Sequence, residues 1–225
     1  MRIAIIGAGA QEEFYDESLY NEVWCLNHIF PEWLTGCSRH FNIHPFERLK
    51  EYGYDLLADR DEAQANPQIP FYVADPWPEG WLPDQRIFPR DELSKLPRGD
   101  YHCGSFDWLV AFVVYLNLCA AELTDYEMNR HRITEISLHG ISLALEHGEP
   151  ISARACLEYW CGYAESCGIK VTTAEDCDLF FFFHLVKSRL VYGYDDTPVF
   201  EDRTRKGAPY HLSQTRTAAM RRRSA

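Results

Sequence analysis

The stretch Arg2-Ile3-Ala4-Ile5-Ile6-Gly7-Ala8-Gly9-Ala10 decides the fold. Its isoleucines favour an extended chain, because a branched Cβ packs well on a pleated surface and loses rotamer freedom in a helix. The glycines that follow let the chain turn sharply, as a first parallel strand does when it hands over to the next element. Working outward, strands are expected at Glu22–Leu26, at Arg39–Ile43 (stopped by His44-Pro45), at Ile69–Val73, at Ile133–His139 and at Ile169–Thr173. Helices are expected at Phe46–Leu57, where Phe46, Leu49, Tyr52 and Leu56 fall near one face, and at Ser105–Leu123. Another is expected at Ala153–Cys167, ended by Gly168. The stretch Ala74–Arg98 is rich in Pro, Trp and Asp and reads as a long loop with one helical turn at Asp91–Lys95, held to the body by Trp77 and Trp81. The run Asp178–His184 fits a buried strand or a helix equally. Strands alternating with helices predict a layered α/β domain with a mostly parallel sheet over residues 1–202.

Charge divides the chain at the same place. The formal net charge is −12, but residues 203–225 carry seven basic side chains and no acidic one. Residues 1–202 therefore hold 15 basic against 34 acidic side chains, or −19. An acidic body repels a phosphate backbone over most of its surface, so any contact with DNA is expected from the basic, weakly ordered tail at 203–225. The apolar run Trp108–Ala121 is 14 residues long and contains Asn117, short of the roughly 20 residues that span a bilayer. With no signal-peptide core at the start, the chain is read as soluble, cytoplasmic and without a membrane partner. None of the eight cysteines forms a CxxC pair. They read as reduced, buried small hydrophobes, and no metal site is expected.

In open α/β sheets ligands sit outside the carboxyl ends of the strands, and four places qualify. The turn Gly7-Ala8-Gly9 admits a phosphate or nucleoside close to the backbone, or is simply a tight turn. Position 12 is Glu, so the GxGxxG fingerprint is unmet and a nicotinamide dinucleotide is not expected. Asn27, after the second strand, suits ribose hydroxyls or a base edge, or a turn. His44 follows the third strand; with His40 it makes an HxxxH spacing that is not a helical zinc pair. Gly104-Ser105 open a helix whose free N–H groups and dipole attract anions, or Ser105 is an ordinary cap. After Gly140 come Glu146, His147, Glu149, Arg154 and Glu158, which offer general acid or base groups and a cation for phosphate, or a solvated loop.

These segments occur in a fixed order: IAIIGAGA, VWCLN, RHFNIHPFERLKEY, IPFYV, YHCGS, ISLHGIS, EPISARACLEYWCGYAESCGIKV and YGYD. The series, from Arg2 to about Asp195, resembles a family of small phage and prophage proteins with a minimal Rossmann-like domain. That family is distantly similar to bacterial sialyltransferases that use a CMP-activated sugar, and to the archaeal-type 6-hydroxymethylpterin pyrophosphokinase. The resemblance implies that Gly7 and Gly9 lie under nucleotide phosphates and that Asn27 contacts the nucleotide. It places His44 where those enzymes have another polar nucleotide contact, and Gly104 and Ser105 at the helix start beside it. Gly140 matches the glycine of a Gly-Ile-Asp or Gly-Val-Asp motif whose Asp is replaced here by Ser142. Glu149, Arg154 and Glu158 match further positions of the phage family, and His147 lies near the catalytic histidine of the sialyltransferases.

The resemblance implies a glycosyltransferase of phage origin, acting in the host cytoplasm. Its co-substrate would be a CMP- or UDP-activated sugar, with no permanently bound cofactor. His147 or Glu149 would act as base, Arg154 would face the leaving phosphate, and hydroxylated bases in DNA are an acceptor class. Two alternatives stand beside it: a pyrophosphoryl or nucleotidyl transferase acting on a small molecule, and a binding module for a nucleotide or a host protein.

Overall fold

The computed structural model describes residues 1–7, 16–27, 36–119, 132–141, 151–173 and 179. Strand β1 (Arg2–Ile6) lies between β2 (Glu22–Leu26) and β6 (Glu135–His139). Beyond β2 lie β3 (Arg39–Asn42), β4 (Phe71–Val73) and β5 (Gln85–Ile87), and beyond β6 lies β7 (Lys170–Thr173). All seven strands are parallel in the order β5-β4-β3-β2-β1-β6-β7. The chain winds outward from β1 to β5 and then crosses back to place β6 on the other side of β1. The order therefore reverses between β1 and β6, as in a Rossmann-like doubly wound sheet. This is the α/β architecture expected from the alternation of strands and helices.

Alternation along the strands sorts the side chains into two layers. Ile3 and Ile5, Trp24 and Leu26, Phe41, and Ile136 and Leu138 form one face, buried with α4 (Ser105–Leu118) and α5 (Ile151–Ser166) in the main core. Helix α4 buries Leu109, Val110, Ala111, Phe112, Val113, Val114 and Leu116, so it is apolar almost all round and needs cover on several sides. Three β-branched valines in mid-helix, Val110, Val113 and Val114, show packing overriding propensity. Phe112 joins Trp24, Phe41, Tyr72 and Phe88, with ring centroids 5.3 to 6.1 Å away. On the opposite face, α1 (Phe46–Glu51) and α2 (Leu56–Ala65) supply Leu49, Leu56 and Ala63 against Phe71 and Val73.

A buried ion pair ties the amino ends of β2 and β3. Arg39 donates to Glu22 through Nε at 2.8 Å and a terminal nitrogen at 3.1 Å. Its other terminal nitrogen donates to the Tyr72 hydroxyl at 3.0 Å, and Trp24 Nε1 donates to Glu22 at 2.7 Å. Burial works against the Arg39 charge, but the bonds to Glu22 and Tyr72 outweigh it and hold the guanidinium above its ordinary range.

Several expected elements are corrected. The helix expected over Phe46–Leu57 is two helices: Gly53 takes a left-handed φ of +73°, and the Asp55 side chain then caps α2 by accepting from Ala58 N at 3.1 Å. The long loop carries its expected helical turn, as α3 (Arg90–Leu93), and also an unexpected strand, β5. Gln85–Ile87 pairs with β4 alone and is half exposed, so it lacks the apolar signature of an inner strand. Trp77 is buried against Phe46 and Phe71 at 5.3 and 5.6 Å, and Trp81 packs on Phe46. The fourth strand starts at Phe71, after Pro70, and the sixth and seventh start at Glu135 and Lys170. Helix α4 runs to Leu118, with Cys119 as its cap, and α5 begins at Ile151. Gly168, at φ +80°, stops α5 as expected. Cys103 is exposed rather than buried, because it precedes α4 on an outer loop. Leu179 is buried; the rest of Asp178–His184, Cys177 and the tail at 203–225 lie outside the described residues. Among the described residues no helix is long and apolar enough to cross a membrane.

Candidate ligand site at the carboxyl edge of the sheet

Gly7 follows β1, and its N–H donates to the His139 carbonyl of β6 at 2.9 Å. Gly140 turns away from β6 with φ +66°. The start of α4 comes down onto this switch point. A Cβ on Gly7 would stand 2.5 Å from the Phe106 ring and 2.9 Å from the Gly140 carbonyl. Gly7 is thus the seat of an aromatic ring from the first turn of α4. Its partner in the expected phosphate turn, Gly9, lies outside the described residues.

Asn27 follows β2 in the left-handed region at φ +57°, a conformation Asn tolerates better than most residues. Its N–H donates to the Phe41 carbonyl at 2.8 Å, and its own carbonyl lies 2.6 Å from His40 Nε2. His40 stands against Phe71 with ring centroids 4.1 Å apart. The Asn27 backbone is therefore clamped, and its side chain is turned to Ser105, whose hydroxyl donates to Asn27 Oδ1 at 3.3 Å. His44, after β3, places Nε2 3.4 Å from the same hydroxyl. With the proton on Nε2, His44 donates to Ser105 and Ser105 donates to Asn27, so the cluster is one relay. All three residues are half-buried and open to solvent.

Ser105 is the first residue of α4, and the support beneath it is rigid. Asp107 Oδ2 accepts the N–H groups of Cys103 and Gly104, each at 2.9 Å, and Asp107 Oδ1 lies 3.0 Å from His102 Nδ1. The His102 ring is sandwiched between Trp108 and Trp160, with centroids at 3.7 and 4.8 Å and planes within 10°. Asp107 thus satisfies the amides before the helix, while the N–H groups of the first turn have no partner within an α-helix and face the carboxyl edge with the positive end of the dipole.

Arg90, on α3, is a cation at this edge that sequence reasoning missed. Its guanidinium donates to the Ile43 carbonyl, next to His44, and lies 5.7 Å from the Trp108 ring centroid. Burial lowers its pKa from the ordinary range, with Asp75 acting in the opposite sense. No local pattern marks it, because it comes from a stretch that reads as loop. His139 was missed as well. At the end of β6 it lies on the face opposite α4, with Nε2 2.9 Å from the Ser137 hydroxyl and 3.3 Å from the Tyr20 hydroxyl. Burial lowers its pKa.

The expected residues fall into four groups. Asn27, His44 and Ser105 meet directly. Gly7, Gly104 and Gly140 frame them through the first turn of α4. Ser142, His147 and Glu149 lie outside the described residues. Arg154 is half-buried on α5, and Glu158, one turn further on, is exposed. Among the described residues no group of three or more His, Cys, Asp or Glu is placed to hold a metal ion.

A cavity of about 290 Å³ opens elsewhere, beside Tyr20, Asn21 and Ser38 at the amino ends of β2 and β3. Its polar groups are engaged in the fold: Asn21 Oδ1 accepts from Arg2 N at 2.7 Å and Ser38 Oγ from Val23 N at 3.1 Å. The carboxyl edge is the stronger candidate, because helix N-termini and strand-end loops converge there. Fold and site together define a Rossmann-like α/β protein with a polar cluster beside its switch point. Comparison with family models, with curated proteins and with solved structures yields no match.

Proposed function

We propose that the chain binds a nucleotide-activated donor at the Asn27–His44–Ser105 cluster and transfers the group it carries, the reaction being glycosyl transfer from a CMP- or UDP-sugar. The observation that carries this reading is the convergence of Asn27 and His44 on the Ser105 hydroxyl at the start of α4. A nucleotide needs polar groups for its ribose or base and a positive dipole for its phosphate, and this edge offers both. Arg90 adds a positive charge at this edge, against the net −19 of residues 1–202. His147 or Glu149 would take the proton of the acceptor hydroxyl, and backbone N–H groups with Arg154 would stabilise the departing phosphate. The phage origin, the DNA acceptor and a role for residues 203–225 in holding DNA belong to the same reading.

The test is thermal unfolding and calorimetry with CMP, UDP and their sugar conjugates, followed by mass analysis with hydroxymethylated DNA. One nucleotide should raise Tm, and Ser105→Ala should weaken its binding about tenfold, roughly 1.4 kcal/mol. Sugar transfer without added metal supports the glycosyltransferase; metal-dependent turnover of a nucleoside triphosphate would move the assignment to pyrophosphoryl or nucleotidyl transfer. Binding without product would make the chain a nucleotide-binding module. No shift with any nucleotide would overturn the reading in favour of a protein partner.

A further inference from the structure

Arg2, Arg39, Arg60 and Arg86, each partly or wholly buried, lie within 3.4 Å of a carboxylate. Arg90 is half-buried as well, but no carboxylate among the described residues pairs with it. Asp75 acts on its charge from further off, and the Asp75 carboxylate is engaged by the Phe46 N–H at 3.0 Å. A guanidinium carries five N–H donors. The fold engages only Nη2 of Arg90, on the Ile43 carbonyl. Nε is enclosed without an acceptor, and Nη1 reaches solvent without one among the described residues. A half-buried guanidinium held by a single carbonyl is set for an anion that the fold itself does not supply.

The place of this cation is fixed by the two elements that carry the polar cluster. Ile43 immediately precedes His44. Trp108, whose ring centroid is 5.7 Å from Arg90 Cζ, lies one turn after Ser105 on α4. Arg90 thus reaches, from α3, the neighbourhood of the 3.4 Å contact between His44 and Ser105.

We propose that this edge selects a nucleoside diphosphate over a monophosphate, with Arg90 holding the second phosphate. The selection rests on the nucleotide reading above and narrows it. The first phosphate faces the N–H groups of the first turn of α4, whose dipole is worth about half a positive charge. A second phosphate adds negative charge within a body of net −19 and needs a full cation. Arg90 supplies it, with donors in a planar fork that matches phosphate oxygens. Asn27 and Ser105 offer the same hydrogen bonds to both ligands, so Arg90 is the residue that tells them apart. Of the two donor classes named above, the UDP-linked sugar is the one that uses it.

The test is calorimetric titration of the full chain with UMP, UDP, CMP and CDP, without divalent metal, in wild type, Arg90→Gln, Arg90→Lys and Ser105→Ala. Each diphosphate should bind about tenfold tighter than its monophosphate. Arg90→Gln should bring the two affinities together, and Arg90→Lys, which keeps the charge but not the fork, should restore part of the difference. Ser105→Ala should weaken both ligands and keep their ratio. Thermal unfolding of each variant checks that it folds; should Arg90→Gln fail to, a reduced ratio in Arg90→Lys carries the result. Equal affinities for diphosphate and monophosphate in wild type, or a preference that survives in both Arg90 variants, would overturn this selection and leave the nucleotide reading standing. No binding of any of the four would overturn both.

Discussion

The Ser105 hydroxyl donates to the Asn27 side-chain carbonyl at 3.3 Å across 78 residues of chain. The bond joins the end of β2 to the start of the crossover helix, and His44 from the end of β3 meets it. Neither strand end is adjacent in sequence to the helix. The sheet order, with the crossover returning from its edge to β6, brings them together.

Asn27 holds a left-handed backbone, so its substitutions separate fold from site. Asn27→Gly should keep stability within about 1 kcal/mol while nucleotide binding falls, because glycine takes this φ freely. Asn27→Val should lose about 2 kcal/mol more than glycine does, since a branched residue at positive φ is strained. Urea unfolding beside calorimetric titration checks both.

Gly7 and Phe106 should be coupled energetically. A methyl group at Gly7 meets the Phe106 ring at 2.5 Å and the Gly140 carbonyl at 2.9 Å, so Gly7→Ala should cost about 1–3 kcal/mol. In Phe106→Ala the ring is gone and the same change should cost visibly less. A double-mutant cycle by denaturant unfolding reads the coupling; strict additivity would show that the ring does not define this seat.

His139 makes stability fall in mild acid. Burial lowers its folded-state pKa below the ordinary 6.5. Above that pH both states are neutral and there is no penalty. As pH drops below it, the unfolded chain takes up a proton that the folded one resists, so stability declines until the folded pKa is reached. His139→Gln should flatten this part of the profile. Unfolding free energies between neutral pH and pH about 5 in both proteins check it.

Glu22 anchors the buried Arg39 charge at 2.8 Å. Glu22→Ala leaves that guanidinium unpaired and should cost about 3 kcal/mol. Glu22→Gln keeps an acceptor for Arg39 and Trp24 and should cost about half as much. Equal losses in the two variants, measured by urea unfolding, would refute the assignment of the cost to an uncompensated charge.

The elements that were legible in the sequence are those with a local signal. Ile3, Ile5 and Ile6 announce β1, and Gly168 stops α5 at the expected place. Those that were not legible depend on neighbours. Gln85–Ile87 becomes a strand because β4 offers an edge, and Phe46–Leu57 splits because Gly53 and Asp55 act on the backbone rather than on the apolar pattern. At the site, Asn27, His44 and Ser105 were readable because strand ends and helix starts carry characteristic residues. Arg90, His102, Phe106 and Asp107 were not, because their importance lies in what they touch.

The sequence by itself determined the parallel α/β architecture and marked Asn27, His44 and Ser105 as residues at strand ends and at a helix start. Periodicity and turn chemistry are properties of a few adjacent residues, and these sufficed. Only the tertiary structure decided the strand order, the meeting of Asn27 and His44 at Ser105, and the role of Gly7 as the seat of Phe106. Each depends on residues far apart in the chain, whose distance is set by how the whole sheet pairs and by which helix lies across it.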